Sequence, residues 1–269
     1  MSWQAVKTVA SALVALTLIS VVTPMAWAQS APSALDQIAK RGALRVGWAV
    51  YLPYMFRDPK TQEPTGITVD LGQAMAKELK VKVEFVEDSW ATMIAGLQAG
   101  KFDVTMPLAI TEARAQAVSF SDPMTKINFG LAVRKADVQN YKTWQDLDKP
   151  DKRVTTTLGS SAQPLLVKFK QAQVLLVKDA ADSIAQVLTD RADAWLNPYD
   201  AFKLAQKQQP DLAIVPGPAL GYQEIAFAVR QGDTTFRDWV SRFVKQQKQS
   251  GNLLTVIQKY GLDQSYVAD

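Results

Sequence analysis

Gly100-Lys-Phe-Asp-Val-Thr-Met-Pro-Leu-Ala-Ile-Thr-Glu-Ala-Arg-Ala-Gln-Ala-Val-Ser-Phe-Ser-Asp122 is the stretch around which the chain is organised. Phe102, Val104 and Met106 alternate as in a strand, Pro107 breaks it, and Thr111 followed by Glu112 reads as the start of a helix. The first N–H groups of a helix are unpaired and its dipole end is positive, so a carboxylate can dock there while Arg114 supplies a planar, two-pronged donor. In isolation Thr111 is an ordinary N-cap and Arg114 a solvated arginine; the surrounding sequence favours the anion reading.

On both sides of this stretch, strand-like and helix-like segments alternate, the pattern of an α/β protein with a mainly parallel sheet. Leu35–Arg41, Val69–Leu79 and Trp90–Ala99 read as helices, and Leu44–Trp48 and Val81–Phe85 as strands. Tyr51-Leu-Pro-Tyr-Met-Phe56 is too aromatic and Pro-broken for a regular element, hence a loop at a strand end, where such folds bind ligands. Ile127–Val133 and Glu224–Val229 read as two strands crossing between lobes. Between them lie a turn at Leu158–Ser161, a helix to Lys170, strands at 174–177, 194–196 and 213–215, and helices at 182–191 and 199–208. The expected organisation is a first lobe from 29–132 and 229–269, with a second lobe, 133–228, inserted at the hinge. Helices at 234–249 and 253–260 pack back on the first lobe.

At the N-terminus Lys7 precedes an apolar run, Val9–Val22, and Ala26-Trp27-Ala28 offers small residues to a signal peptidase, so residues 1–28 read as a cleaved secretory leader. The run is short for a membrane anchor. Without that leader, 241 residues remain with net charge +3, since it carries Lys7 and no acid. So small and dispersed an excess implies solubility and no nucleic-acid partner. Cysteine is absent, which removes thiol chemistry, thiolate metal sites and an N-terminal lipid anchor. Histidine is absent too, which removes Ser-His and Cys-His catalysis and His-ligated zinc. No cofactor or metal is expected.

Gly100-Lys-Phe-Asp103, Val118-Ser-Phe-Ser-Asp-Pro123 and Thr65-Gly-Ile-Thr-Val-Asp70, in this order, resemble the extracytoplasmic solute-binding proteins of amino-acid ABC transporters, family 3. The resemblance runs from about Leu35 to Leu262. It implies a type II periplasmic binding protein fold, two α/β lobes joined by two hinge strands. It also implies a periplasmic, monomeric receptor that passes an amino acid or similar small carboxylate to a membrane ABC permease. Carried over to this chain, Tyr51 and Trp90 are aromatic walls and Arg114 holds the carboxylate. Ala109 and Thr111 offer it backbone N–H or hydroxyl, and Ser160 and Ser161 in Gly159-Ser-Ser161 close on it from a second helix start. Aromatic walls are also what physics favours, because flat amphipathic rings desolvate a ligand at low entropy cost.

Two departures bear on the ligand. Where the family places an acid for the ligand's ammonium, this chain has Pro198, within Asp193-Ala-Trp-Leu-Asn-Pro-Tyr-Asp200. The substitutes are Asn197, through its carbonyl, or Asp200, after a backbone shift; failing both, the ligand is a carboxylate without a free α-amino group. Met124 stands where an aromatic is usual. A related branch, the cyclohexadienyl dehydratases, has its catalytic Glu at the position of Glu224, which makes Glu224 the alternative candidate for a general acid on prephenate or arogenate. The branch has a Gly-Gly-Thr-Asn-like turn where this chain reads Gly159-Ser-Ser-Ala162.

Overall fold

A computed structural model describes residues 33–269; the leader expected over 1–28 lies outside them. No helix among the described residues is long and apolar enough to cross a membrane.

Two mixed sheets build two α/β lobes. The first orders its strands Lys82–Glu87, Ala43–Trp48, Val104–Thr105, Ala228–Arg230 and Val118–Phe120. The second orders Gln173–Val177, Arg153–Thr157, Ala194–Pro198, Thr125–Arg134, Gly221–Ala226 and Leu108–Ala109, with Leu212–Ile214 also on Thr125–Arg134. The first three strands of each sheet are mutually parallel, as expected where helices such as Ile67–Leu79 and Ala180–Leu188 connect them. Asp179 caps the latter helix through the Asp182 N–H.

The chain crosses between lobes twice, side by side and antiparallel. Ser121 N–H donates to Phe227 O (2.9 Å) and Met124 N–H to Ile225 O (2.7 Å). The boundary expected between 132 and 133 falls inside one continuous strand, Thr125–Arg134, that belongs to the second sheet. Its alternating Ile127, Phe129, Leu131 and Val133 are all buried. An apolar alternation marks a buried strand and carries no information about which sheet that strand joins.

Asp103, from the Gly-Lys-Phe-Asp motif, has a structural role. Its carboxylate, 2% exposed, accepts from Arg45 N–H (2.8 Å), from Arg45 Nη2 (3.0 Å) and from Arg41 Nη2 (2.5 Å). Asp193 repeats the device in the second lobe, accepting from Arg153 N–H (2.9 Å) and Nε (3.1 Å). Each acid thereby ties the start of its own strand to the neighbouring one. Replacing Asp103 by Ala orphans a buried N–H and strips two guanidinium groups of their partner, so a loss of about 3 kcal/mol is expected. Urea unfolding measures it, and a loss under about 0.5 kcal/mol, the range of an ordinary surface change, contradicts this role.

Candidate ligand-binding site

The chain between the strands Val104–Thr105 and Val118–Phe120 leaves the first sheet. Leu108–Ala109 pairs instead with Ile225 and Ala226 at the edge of the second. That excursion carries Arg114 to the junction of the lobes. The helix expected there is a single turn, Glu112–Ala115, with Thr111 as its N-cap, the hydroxyl accepting from Arg114 N–H (3.3 Å). Four residues align too few peptide dipoles to hold an anion on their own, so the guanidinium is the principal positive group.

Arg114 is 9% exposed. Nη1 donates to Ala109 O (3.0 Å) and Nη2 to Gly159 O of the second lobe (3.1 Å), while Cζ lies 5.8 Å from the centre of the Trp90 ring. Among the described residues no carboxylate pairs with it, and burial pulls its pKa down to about 10. Two carbonyl oxygens orient the group and leave its charge uncompensated. Ala109 thus contributes its carbonyl to Arg114 and also lines the inner of the two cavities described below.

The Tyr51 loop forms the facing wall. Tyr51 exchanges both backbone hydrogen bonds with Met55 (2.7 Å each), stacks on Tyr54 at 4.8 Å and meets Trp90 edge-on at 5.8 Å. Trp90 Nε1 donates to Val50 O at 3.2 Å, which fixes the indole. The structure thus brings together Tyr51 and Trp90, the two residues expected from the sequence as aromatic walls.

From the second lobe comes the turn after Arg153–Thr157. Gly159 has φ +76°, and a Cβ there would lie 2.8 Å from both Ala91 Cα and Trp90 O, so the two lobes touch backbone to backbone at this glycine. The helix expected to start at the serines is a 3-10 segment, Gln163–Lys168, with Pro164 in its first turn. Ser160 and Ser161 precede it as a turn, and Ser160 Oγ is buried with no hydrogen-bond partner.

Two adjoining cavities share Trp90, Ser160 and Ser161. The outer one is lined by Thr111, Arg114 and Gly159. The inner one, partly open to solvent, adds Tyr51, Ala109, Asn197 and an apolar recess formed by Ile127, Ile225, Ala180, Ile184, Ala201 and Ala205. An apolar lining with a few convergent polar groups is the character of a small-molecule site. Trp195 and Gln208 also line it and were missed by sequence reasoning. Alternation along Ala194–Pro198 places Trp195 on the same side as Asn197, which is the signal that could have found it. Trp195 Nε1, like Ser160 Oγ, is buried without a partner.

Two expected contacts are not at the cavity. Asp200 is 1% exposed and sits behind Tyr51, accepting the Tyr51 hydroxyl (3.1 Å) and the Ala201 N–H (2.8 Å). Its place in the first turn of Tyr199–Gln208 turns it to the aromatic loop of the other lobe, and it lines neither cavity. Glu224 also lines neither. It stands opposite Lys126 across the Thr125–Arg134 pairing, and alternation turns its neighbour Ile225 to the cavity and Glu224 away. A general acid at Glu224 would therefore have no substrate beside it.

Residues 44–263 match the family described as bacterial extracellular solute-binding proteins, family 3. The chain belongs to this family. A probable amino-acid ABC transporter-binding protein of Haemophilus influenzae is 30% identical, over 85% of this chain and 88% of that one. The crystal structure of an ancestral amino acid-binding protein, a precursor of cyclohexadienyl dehydratase, is 34% identical over 85% of this chain and 99% of that one, with TM-score 0.76. Cyclohexadienyl dehydratase of Pseudomonas aeruginosa is 25% identical over 84% of this chain and 85% of that one. As a family 3 protein the chain has the type II periplasmic binding protein fold and is a solute-binding protein of ABC transport, with the dehydratase a more distant relative.

Proposed function

We propose that this family 3 protein receives a small carboxylate in the cleft between its lobes, as its amino-acid-binding relatives do with theirs, and delivers it to an ABC permease. The carrying observation is Arg114, a dehydrated guanidinium that contacts both lobes and has only carbonyl acceptors. A carboxylate arriving there neutralises the charge, takes the free N–H groups in a two-pronged bond and fills a space that closing lobes would otherwise leave wet. Tyr51 and Trp90 cover its apolar part, while Ser160, Ser161 and Asn197 supply polar contacts. The receptor works as a monomer in the periplasm once residues 1–28 are removed.

The test is a thermal shift on refolded protein, stripped of co-purified solute, against a panel of small carboxylates. A true ligand at one hundred times its Kd adds about 2.7 kcal/mol, which is roughly 5–10 °C for a chain of this size. No shift across carboxylates, with shifts for neutral or cationic solutes, would contradict the proposal.

Gly159 gives a second check. Ala there must adopt a left-handed backbone and push against Trp90 and Ala91, so closure costs about 1–3 kcal/mol and affinity falls roughly 5- to 150-fold. Titration calorimetry on Gly159→Ala reads the loss; unaltered affinity would mean the lobes do not need to meet there.

A further inference from the structure

The receptor reading leaves the ligand's class open, and the electrostatics of the cleft narrow it. Among the described residues that line the two cavities, Arg114 is the one charged side chain. A monocarboxylate brings it to neutrality. A zwitterionic amino acid would bring the same carboxylate and an ammonium besides, leaving one uncompensated positive charge in a closed, dry space, where an unpaired ion costs several kcal/mol.

The acids nearby are already engaged. Asp200 is bound by the Tyr51 hydroxyl and the Ala201 N–H behind the aromatic wall. Asp193 is taken by Arg153, with Lys152 Nζ at 3.6 Å. Pro198, at the cavity wall, has neither a side-chain acceptor nor a charge, and Asn197 beside it offers a carbonyl acceptor but no charge to balance an ammonium.

The remaining lining is suited to a neutral body. The inner recess between the helices Ala180–Leu188 and Tyr199–Gln208 is walled by Ile184, Ala201, Ala205 and Trp195, where alanines leave room for a ligand's apolar end. Two polar hydrogens on the lining have no acceptor, the Trp195 indole N–H and the Ser160 hydroxyl. Trp Nε1 can only donate, so what completes it is an oxygen or other acceptor and never an ammonium.

We infer, on the receptor reading above, that the ligand is a carboxylate without an α-ammonium, carrying an uncharged and mostly apolar body that enters the recess between the two second-lobe helices. Its carboxylate takes Arg114, and the missing ammonium is what the missing acid of the cleft requires.

Matched pairs test this by titration calorimetry at neutral pH on the mature chain: L-phenylalanine against 3-phenylpropanoate, L-tyrosine against 3-(4-hydroxyphenyl)propanoate, L-leucine against 4-methylpentanoate, with L-arginine included. The expected result is that in every pair that binds, the deaminated acid binds at least tenfold tighter. An amino acid equal to or tighter than its partner, or binding by L-arginine alone, overturns this inference and leaves the carboxylate receptor standing. No binding by any member overturns the inference, and the receptor reading then falls or stands on the wider carboxylate panel. In Asn197→Asp the new acid on the cavity wall should reverse the preference toward the amino acid. A variant that still binds and keeps the original preference overturns the electrostatic argument.

Discussion

Arg114→Met should weaken carboxylate binding by roughly a hundredfold or more and stabilise the empty protein. A buried pair broken by removing one partner loses about 3–5 kcal/mol, and the ligand's carboxylate would then enter a dry cleft with no cation, so affinity should fall by roughly 100- to 5,000-fold. The opposite sign for the empty chain follows from the same burial. With pKa pulled from 12.5 to about 10, holding the charge in place costs about 3 kcal/mol at neutral pH in the closed arrangement. Methionine has similar reach and no charge, and it removes that cost to the extent that the empty lobes stay closed. Calorimetric titration and thermal melting of the two proteins decide it. A variant that keeps its affinity within tenfold would remove the guanidinium from the binding site, whatever its melting temperature.

Asp200→Asn should remove a loss of stability that the parent chain suffers as pH rises from about 4 to 7. Burial pushes the Asp200 carboxyl up to about 7, against the opposing pull of the Ala201 N–H, the Tyr51 hydroxyl and the Lys203 charge. In the unfolded chain the same group ionises near 3.8. The folded state therefore holds a proton that the unfolded state has lost between about pH 4 and 7. Its contribution is fully favourable below pH 4, declines by about 1.4 kcal/mol per pH unit across that interval, and is constant above it. The total is about 4 kcal/mol. Asparagine keeps an acceptor for the Tyr51 hydroxyl and never ionises, so the variant should gain on the parent as pH rises from 4.5 to 7.5. Other carboxylates add their own slopes equally to both proteins, and the difference between urea-unfolding curves isolates this site. A difference independent of pH would show that the carboxyl is already ionised in the folded chain.

Legibility from sequence varied with how local the cause was. Tyr199–Gln208 and Thr234–Gln249 were read at their observed bounds, because Pro198 and Asp233 stop the preceding segment and apolar spacing continues within. The turn after Thr157 was misread as a helix start. Ser160, Ser161 and Ala162 look like a cap and first turn, yet the chain is still in the turn that meets Ala91 and only a 3-10 segment follows. Asp200 was a candidate substitute for the acid missing at Pro198, and Glu224 a candidate general acid by its match to the catalytic Glu of the dehydratases. Residue type does not say which way a side chain turns, and one position of strand phase separates Ile225 at the cavity from Glu224 away from it.

By itself the sequence determined the alternation of strands and helices, the motif around Arg114 and the absence of His and Cys, since these depend on spacing and residue chemistry alone. Tertiary structure decided which groups meet at the junction of the lobes. Arg114 meets Gly159 from 45 residues away, and Tyr51 meets Asp200 from 149 residues away. Whether a charge is compensated depends on every neighbour within a few ångströms. Those neighbours come from both lobes, so no local pattern along the chain could record that the guanidinium has no acid beside it.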